Sequence, residues 1–185
     1  AILCNHQKID TEQRIESISR ALIANTEWDA VLDIGRSSEL RFITSNVTEA
    51  GLTLEPNDSP ELPISFPGKL EEVLHARYAA DLPGTTIVPC ELVDRNADCL
   101  KNLVIEQAHL WNRDPKFIDY LQNENTWCNT LVDRIVSGRP ESHPLLSEDA
   151  LLTVAEPFAL WIVENGDLFT HPAIQSVQNV DPFSL

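Results

Sequence analysis

The chain has 185 residues, and its 43% hydrophobic and 23% charged content is typical of a globular domain rather than a disordered chain. The 13 Lys and Arg residues against 29 Asp and Glu residues give a formal net charge of -16, which repels phosphate backbones and anionic membranes. We therefore expect no nucleic acid and no membrane among its partners. No apolar run approaches the ~20 residues of a membrane-spanning helix, and no signal-peptide pattern opens the sequence, so we expect a cytoplasmic protein.

Two residue types limit the interpretation further. The sequence contains no methionine, not even an initiator, so we expect it to be incomplete, either as a fragment or because residues such as selenomethionine are missing from it. Its four cysteines, Cys4, Cys90, Cys99 and Cys128, are widely spaced and form no C-x-x-C pair. This spacing argues against a zinc site or a redox dithiol, and we expect reduced cysteines.

In chain order, the first features are a segment of mixed pattern, a helix and a strand. Residues 13–24 combine helical and extended periodicity, and the pattern alone does not decide between them. Thr26 suits a helix N-cap, and the apolar residues Trp28, Val31 and Leu32 follow it. Residues 40–45 are predicted to form a short buried strand.

The loop that follows this strand is the first candidate site. In parallel α/β sheets, ligands bind at the loops beyond the carboxyl ends of the strands. Asn46, Thr48 and the backbone around Glu49 offer hydrogen-bonding groups at that position. The alternative is an Asx or Ser/Thr turn, in which the same side chains satisfy their own backbone.

A second strand and loop follow a helix. Residues 55–66 hold three prolines and predict a loop, and Pro67 behind Ser65 suits the first turn of a helix. Residues 85–90 predict another buried strand, and residues 91–96 then form a second candidate loop at its carboxyl end. Two further helices are expected, the first with Asp98 as its N-cap and the second starting at Asp114-Pro115.

The segment 125–138 places Asp133 beside Arg134 in an otherwise apolar run, whose Leu131, Val132, Ile135 and Val136 are expected to be buried. Because an unpaired buried charge is very costly, the two side chains are expected to pair, to meet other partners or to line a cleft. From spacing alone, a structural ion pair is the favoured interpretation. A strand is predicted near residues 160–163, and residues 165–185 are rich in turns.

These elements together predict the fold class. Three or four β-α units indicate one α/β domain with a largely parallel sheet and flanking helices. No G-x-G-x-x-G motif, the usual phosphate-binding loop of a dinucleotide fold, occurs in the chain.

Four blocks in order carry a family resemblance: residues 42–51 (FITSNVTEAG), 87–96 (IVPCELVDRN), 128–136 (CNTLVDRIV) and 155–164 (AEPFALWIVE). They resemble the mannitol dehydrogenase family of polyol-specific long-chain dehydrogenases, and are most similar to its hexuronate-acting branch. The mannitol and fructuronate types are the alternatives. Glu91 and Leu92 depart from the family pattern, which has an Asp-Asn pair there.

The resemblance implies a Rossmann-like fold and an NAD-dependent oxidoreductase that acts on a small sugar acid or polyol. Residues 1–180 would be the latter part of the NAD-binding domain, without its Gly-rich loop, and residues 181–185 would lead to a helical C-terminal domain. It also favours a strand at residues 15–22. The family's catalytic lysine would lie beyond the chain, so we expect the 185 residues alone to be inactive.

The resemblance also assigns the candidate residues their roles. Catalytic roles fall to Asp133 and Asn96, cofactor binding to Asn46, Thr48 and Glu49, and the substrate cleft to Arg134 and Glu91. These loops and Asp133 are expected to converge at one edge of the sheet, and no metal is implied. The rival from another class is a non-catalytic α/β binding domain, in which Asp133 and Arg134 form only a structural pair.

Overall fold

The computed structural model describes residues 11–164 and, for the backbone alone, residues 2–4 and 7–9. It divides into two compact units. The larger, the sheet unit, comprises Leu22–Val132 with residues 161–164, and the smaller comprises Asp133–Leu160 with the N-terminal residues up to 21. The expected turn-rich segment 165–185 and the connection at 181–185 lie outside the described residues.

A parallel three-stranded sheet organises the sheet unit. After the antiparallel N-terminal hairpin of β1 (Ile2–Cys4) and β2 (Gln7–Ile9), the sheet strands are β3 (Phe42–Ser45), β4 (Thr86–Pro89) and β5 (Thr126–Trp127). Their order is β3-β4-β5, and Ile87 of β4 lies beside Ile43 on one side and Trp127 on the other. All three carboxyl ends therefore share one edge, which confirms the predicted parallel α/β fold.

Among the described residues, four α-helices accompany these strands: α1 (Trp28–Gly35), α2 (Phe66–Ala79), α3 (Asn96–Leu110) and α4 (Pro115–Asp119). Local sequence explains two of their starts. The Ser65 hydroxyl accepts a hydrogen bond from the Gly68 N–H, and the Asp114 carboxylate accepts one from the Lys116 N–H. In both helices a proline occupies the first turn, where no N–H is needed.

The core lies where α2 and α3 pack with β4. It joins residues from both helices, from β4 and from the segment that follows α3: Leu70, Leu74, Ile87, Leu100, Val104, Phe117, Tyr120 and Leu121. Phe117 and Leu74 are fully buried, and the Tyr78 and Tyr120 rings lie 5.3 Å apart by their centroids. Burial of this apolar face therefore fixes the helices against the sheet.

Three local predictions are wrong. Residues 15–22 form no strand, because a strand needs a neighbouring strand to pair its backbone groups and the described residues offer none there. Ile15 and Ile18 are accordingly 62% and 70% exposed. The N-cap of α1 is Glu27 and not Thr26, whose hydroxyl donates to the Ile23 carbonyl. Asp98 lies within the first turn of α3 and does not cap it.

Four more short strands form two further pairs in the described residues. β6 (Thr130–Asp133) pairs with β9 (Leu160–Val163), which confirms the strand predicted at the latter position. β7 (Val136–Gly138) pairs with β8 (Val154–Ala155) in antiparallel fashion. The register shifts between Val136 and Gly138, and Gly138 has a φ of 84°, a left-handed conformation that glycine adopts without strain.

A buried ion pair joins α2 to the segment that follows α3. The Glu71 side chain is fully buried, and its carboxylate accepts hydrogen bonds from Nε (2.8 Å) and Nη2 (3.1 Å) of Arg113. Arg113 also pairs with Glu72. Burial raises the pKa of Glu71 to about 7, although Arg113 acts in the opposite direction. The folded state therefore binds a proton at Glu71 more readily than the unfolded chain does.

This arrangement predicts a pH-dependent effect of Arg113→Met. At pH 8 the variant leaves a buried carboxyl group that must either ionise without its cation or take up a proton well above its ordinary pKa. We expect the free energy of unfolding to fall by about 3 kcal/mol or more. At pH 5 the loss should be smaller, since stability from a raised pKa is retained below that pKa and lost as the pH rises through it. Chemical denaturation at both pH values measures the difference.

The matched control is the double variant Glu71→Gln/Arg113→Met. It removes the titrating carboxylate, so Glu71 no longer contributes to the pH dependence of stability. The remaining change in the free energy of unfolding between pH 5 and pH 8 comes from the other titratable groups. Equal destabilisation by Arg113→Met at both pH values would show that Glu71 is not the group that titrates.

Candidate functional site at the carboxyl edge of the sheet

The loop after β3 presents polar side chains at the carboxyl edge of the sheet. Asn46, Thr48 and Glu49 are exposed, and among the described residues none of their side chains has a hydrogen-bond partner. Backbone bonds shape the loop instead: the Gly51 N–H donates to the Thr48 carbonyl at 3.1 Å. The alternative of a self-satisfied Asx or Ser/Thr turn is therefore not what this loop forms.

Thr48 has an unusual backbone conformation, with φ 68° and ψ 163°. This region is open almost only to glycine, and a β-branched residue there is a genuine outlier. Such strain persists only where surrounding contacts impose it, and it concentrates at functional sites. The conformation therefore marks the loop as a candidate binding element.

Glu91 links this loop to the end of β4. Its side chain is 2% exposed, and its two carboxylate oxygens accept hydrogen bonds from the Val47 N–H (2.9 Å) and the Ser45 hydroxyl (3.1 Å). The Cys90 N–H donates to the Ser45 carbonyl at 2.8 Å. The two candidate loops thus lie side by side. That Glu91 faces a substrate cleft stays a prediction, since its described contacts are with the β3 loop.

Asn96 is a fully buried junction at the start of α3. Its Nδ2 donates to the carbonyl oxygens of Pro89 (3.2 Å) and Glu91 (3.0 Å) and to the Thr130 hydroxyl (3.0 Å), while its Oδ1 accepts from the Thr130 N–H (3.0 Å). The amide therefore fastens the end of β4 to the start of β6. A direct catalytic role for Asn96 stays a prediction, and its contacts here are internal to the fold.

Asn129 is a structural residue that the sequence pattern did not single out. Its Oδ1 accepts from the N–H groups of Ala97 (3.0 Å) and Asp98 (3.2 Å), and its Nδ2 donates to Glu164 at 2.8 Å. Asn129 therefore caps α3, whose own N-cap residue, Arg95, is left-handed and makes no side-chain cap. The available signal was an asparagine directly after buried Cys128, at a strand end.

Asp133 and Arg134 are both exposed, so the expected burial of this apolar run is wrong. Ile135 and Val136 are 65% and 55% exposed, because β7 is a short strand with little covering it among the described residues. Arg134 donates from Nε and Nη2 to the Glu156 carbonyl (3.2 and 3.1 Å) and forms no ion pair with Asp133 within the described chain.

The placement of Asp133 bears on the predicted convergence. Asp133 falls in the smaller unit and Thr48 in the sheet unit. Their shared edge therefore stays a prediction, as do the roles of Asp133 in catalysis and of Arg134 in the substrate cleft.

The described cysteines, Cys90, Cys99 and Cys128, are free thiols. Burial raises the pKa of Cys90 and of Cys128, and the nearby carboxylates of Glu91 and Glu164 add to the respective shifts. Both thiols are therefore protonated near neutral pH. Within residues 11–164, no group of three His, Cys, Asp or Glu side chains is arranged to hold a metal ion, and no helix is both long and apolar enough to cross a membrane.

The cap supplied by Asn129 gives a testable prediction. Asn129→Ala should lower the free energy of unfolding by about 1–2 kcal/mol, because two N–H groups at the start of α3 lose their acceptor. Asn102→Ala, at an exposed position on the same helix, is the matched control and should stay within about 0.5 kcal/mol of the parent. Urea denaturation compares them, and equal effects would remove the cap assignment.

Known proteins match this chain in sequence over most of its length. The model of the mannitol dehydrogenase Rossmann domain matches residues 4–176. An altronate oxidoreductase from Halalkalibacterium halodurans is 42% identical over 177 residues, which are 89% of this chain and 35% of that protein. The altronate oxidoreductase of Bacillus subtilis is 36% identical over 173 residues, 87% of this chain and 36% of that protein. The chain thus spans about a third of these relatives.

A solved structure shows the same fold. The Pseudomonas fluorescens mannitol 2-dehydrogenase, in a ternary complex with NAD and D-mannitol, superimposes with a TM-score of 0.71 at 25% identity, over 82% of this chain and 35% of that one. The family resemblance of the four sequence blocks is confirmed. This chain belongs to the mannitol dehydrogenase family, and residues 4–176 match its Rossmann domain.

Proposed function

We propose that the protein containing this chain is an NAD-dependent oxidoreductase of hexuronate catabolism that interconverts tagaturonate and altronate by hydride transfer. The observation that carries the proposal is the parallel sheet edge, where exposed Asn46, Thr48 and Glu49 follow β3 beside the end of β4. Altronate oxidoreductases at 36–42% identity indicate the substrate class.

The residues at this edge fit the nicotinamide end of a dinucleotide. The amide of Asn46 and the hydroxyl of Thr48 can each donate and accept hydrogen bonds, and among the described residues both are free of protein partners. Glu49 adds a carboxylate that can accept from ribose hydroxyls. A bound nicotinamide would supply or accept the hydride, and these side chains would position it.

A sugar-acid substrate carries a negative charge, which a chain of net charge -16 repels at long range. A local cation must then hold the carboxylate. We assign that role to Arg134, which is exposed and uses Nε and Nη2 for the Glu156 carbonyl. Among the described residues, its Nη1 has no hydrogen-bond partner. Its planar guanidinium suits a carboxylate. Asp133 would orient the substrate or the catalytic lysine expected outside this chain.

The second candidate is a neutral polyol such as mannitol, which the likeness to the mannitol 2-dehydrogenase complex favours. The test is the rate of NADH oxidation by the whole protein with tagaturonate, fructuronate and fructose in turn. We expect the largest kcat/KM with tagaturonate. Preference for fructose would favour the mannitol type, and no turnover with any of the three would support the non-catalytic alternative.

A substitution at Asp133 tests its role directly. In the whole protein, Asp133→Asn keeps the size of the side chain and deletes its charge, so kcat should fall at least about tenfold, equivalent to ~1.4 kcal/mol of barrier, with little change in NADH affinity. Because Asp133 is exposed and makes no ion pair with Arg134 within the described chain, the melting temperature should stay near that of the parent.

The control for this test is Glu148→Gln, which neutralises another exposed carboxylate of the same unit. It should leave both the rate per folded molecule and the melting temperature unchanged. An unchanged rate in Asp133→Asn, with a lower melting temperature, would assign Asp133 a structural role and remove it from the catalytic set.

A further inference from the structure

Thr48 is held in its strained conformation from both sides. On its N-terminal side, the Glu91 carboxylate binds the Val47 N–H and the Ser45 hydroxyl. On its C-terminal side, the Gly51 N–H donates to the Thr48 carbonyl, and a Cβ at Gly51 would lie 2.9 Å from the Val47 side chain. The loop is therefore closed tightly around a residue that would otherwise relax to a negative φ.

Glu91 is the contact that comes from outside the loop. It lies at the end of β4, 44 and 46 residues away from its two partners, and it is 2% exposed. Burying a carboxylate is costly unless hydrogen bonds compensate for lost water, and those to a charged acceptor are the stronger kind. The site thus joins a buried charge to a strained backbone, while Asn46, Thr48 and Glu49 face solvent.

We propose that Glu91 is a positioning residue that fixes residues 46–49 in the conformation that binds the cofactor. It acts through Val47 and Ser45 and does not itself touch the cofactor or the substrate. Strain held at a binding loop in this way is pre-organisation, because the protein adopts the binding geometry before the ligand arrives. The inference rests on the proposed dehydrogenase function.

The first test is Glu91→Ala in the whole protein. Without the carboxylate, the loop relaxes at Thr48, so the KM for NADH should rise about tenfold, while kcat at saturating NADH stays within about threefold. Glu91→Gln should be close to the parent, because its amide oxygen can still accept from the Val47 N–H and its NH₂ can donate to the Ser45 oxygen. A loss of kcat in Glu91→Gln would instead indicate that the charge acts in the chemistry, and would overturn the proposal.

Thr48→Gly gives the second and sharper test. Glycine adopts the observed φ and ψ without steric strain, so the loop should depend less on its fastening. In the Thr48→Gly background, Glu91→Ala should raise the KM for NADH less than about threefold, against about tenfold in the parent. The same tenfold effect in both backgrounds would show that Glu91 does not act through the strain at Thr48.

Glu71→Ala is the matched control, because it removes another fully buried, hydrogen-bonded carboxylate of the same unit. It should lower the melting temperature and leave the KM for NADH unchanged. A KM rise equal to that of Glu91→Ala would indicate general destabilisation and overturn the proposal.

If Glu91→Ala does not fold, Ser45→Ala provides another test, because it removes one of the two hydrogen bonds to Glu91. Its KM for NADH should rise about threefold, and an unchanged KM would count against the proposal.

Amide hydrogen exchange separates failure of this inference from failure of the proposed function. Glu91→Ala should accelerate exchange at Val47 at least about tenfold, whatever the protein catalyses. Faster exchange in an active enzyme with an unchanged KM would refute the positioning role alone. A parent protein without NADH turnover would refute the dehydrogenase proposal and, with it, the positioning role. Unchanged exchange at Val47 in Glu91→Ala would show that Glu91 does not hold the loop.

Discussion

The buried amide of Asn96 is the contact on which the carboxyl edge of the sheet depends. It reaches the carbonyls of Pro89 and Glu91 at the end of β4 and both backbone and side chain of Thr130 at the start of β6. An amide has two donors and one acceptor oxygen, so a single side chain can satisfy backbone groups from separate segments. These hydrogen bonds fix the position at which the loop that carries Glu91 begins.

Next to the Asn96 junction, further polar contacts continue along the carboxyl edge of the sheet. Asn129 caps α3 beside the junction, and Glu91 reaches across to the loop after β3. The side chains of Asn129 and Glu91 are each 2% exposed, and an unmade hydrogen bond at a buried polar group is costly. The edge is therefore rigid beneath its surface, and the exposed side chains of Asn46, Thr48 and Glu49 are presented from a fixed backbone. A binding loop built this way loses little conformational entropy when a ligand arrives.

The buried charged side chains also depend on specific partners. The chain is strongly acidic, yet its buried carboxylates have specific partners: Arg113 for Glu71, and the Val47 N–H and Ser45 hydroxyl for Glu91. The two differ in consequence. The Glu71–Arg113 ion pair joins α2 to the segment after α3, whereas the Glu91 contacts shape a solvent-facing loop. In the proposed function, Arg134 is left to meet a negatively charged substrate.

Much of the architecture followed from local sequence. Alternating strands and helices, the Ser65 and Asp114 caps and the position of loops after β3 and β4 depend on neighbouring residues, so periodicity and turn chemistry predict them. Ordered sequence blocks also identified the family, which the match over residues 4–176 confirms. The strand expected at residues 15–22 came from the family resemblance, and the described residues form none there. The error at Ile135 and Val136 arose because apolar composition alone does not state what is available to cover a segment.

Only the tertiary structure decided what the candidate residues touch. Glu91 meets Val47 across 44 positions, Asn129 caps Ala97 across 32, and Arg113 pairs with Glu71 across 42. Such partners are set by strand order and helix packing, which no local pattern encodes. The strained φ of Thr48 is likewise invisible in the sequence, since a threonine would not be chosen for that conformation in isolation. The sequence by itself determined which loops follow the strands, because turn and strand patterns are local. Long-range packing determined which side chains hold those loops and, among the described residues, which have no partner.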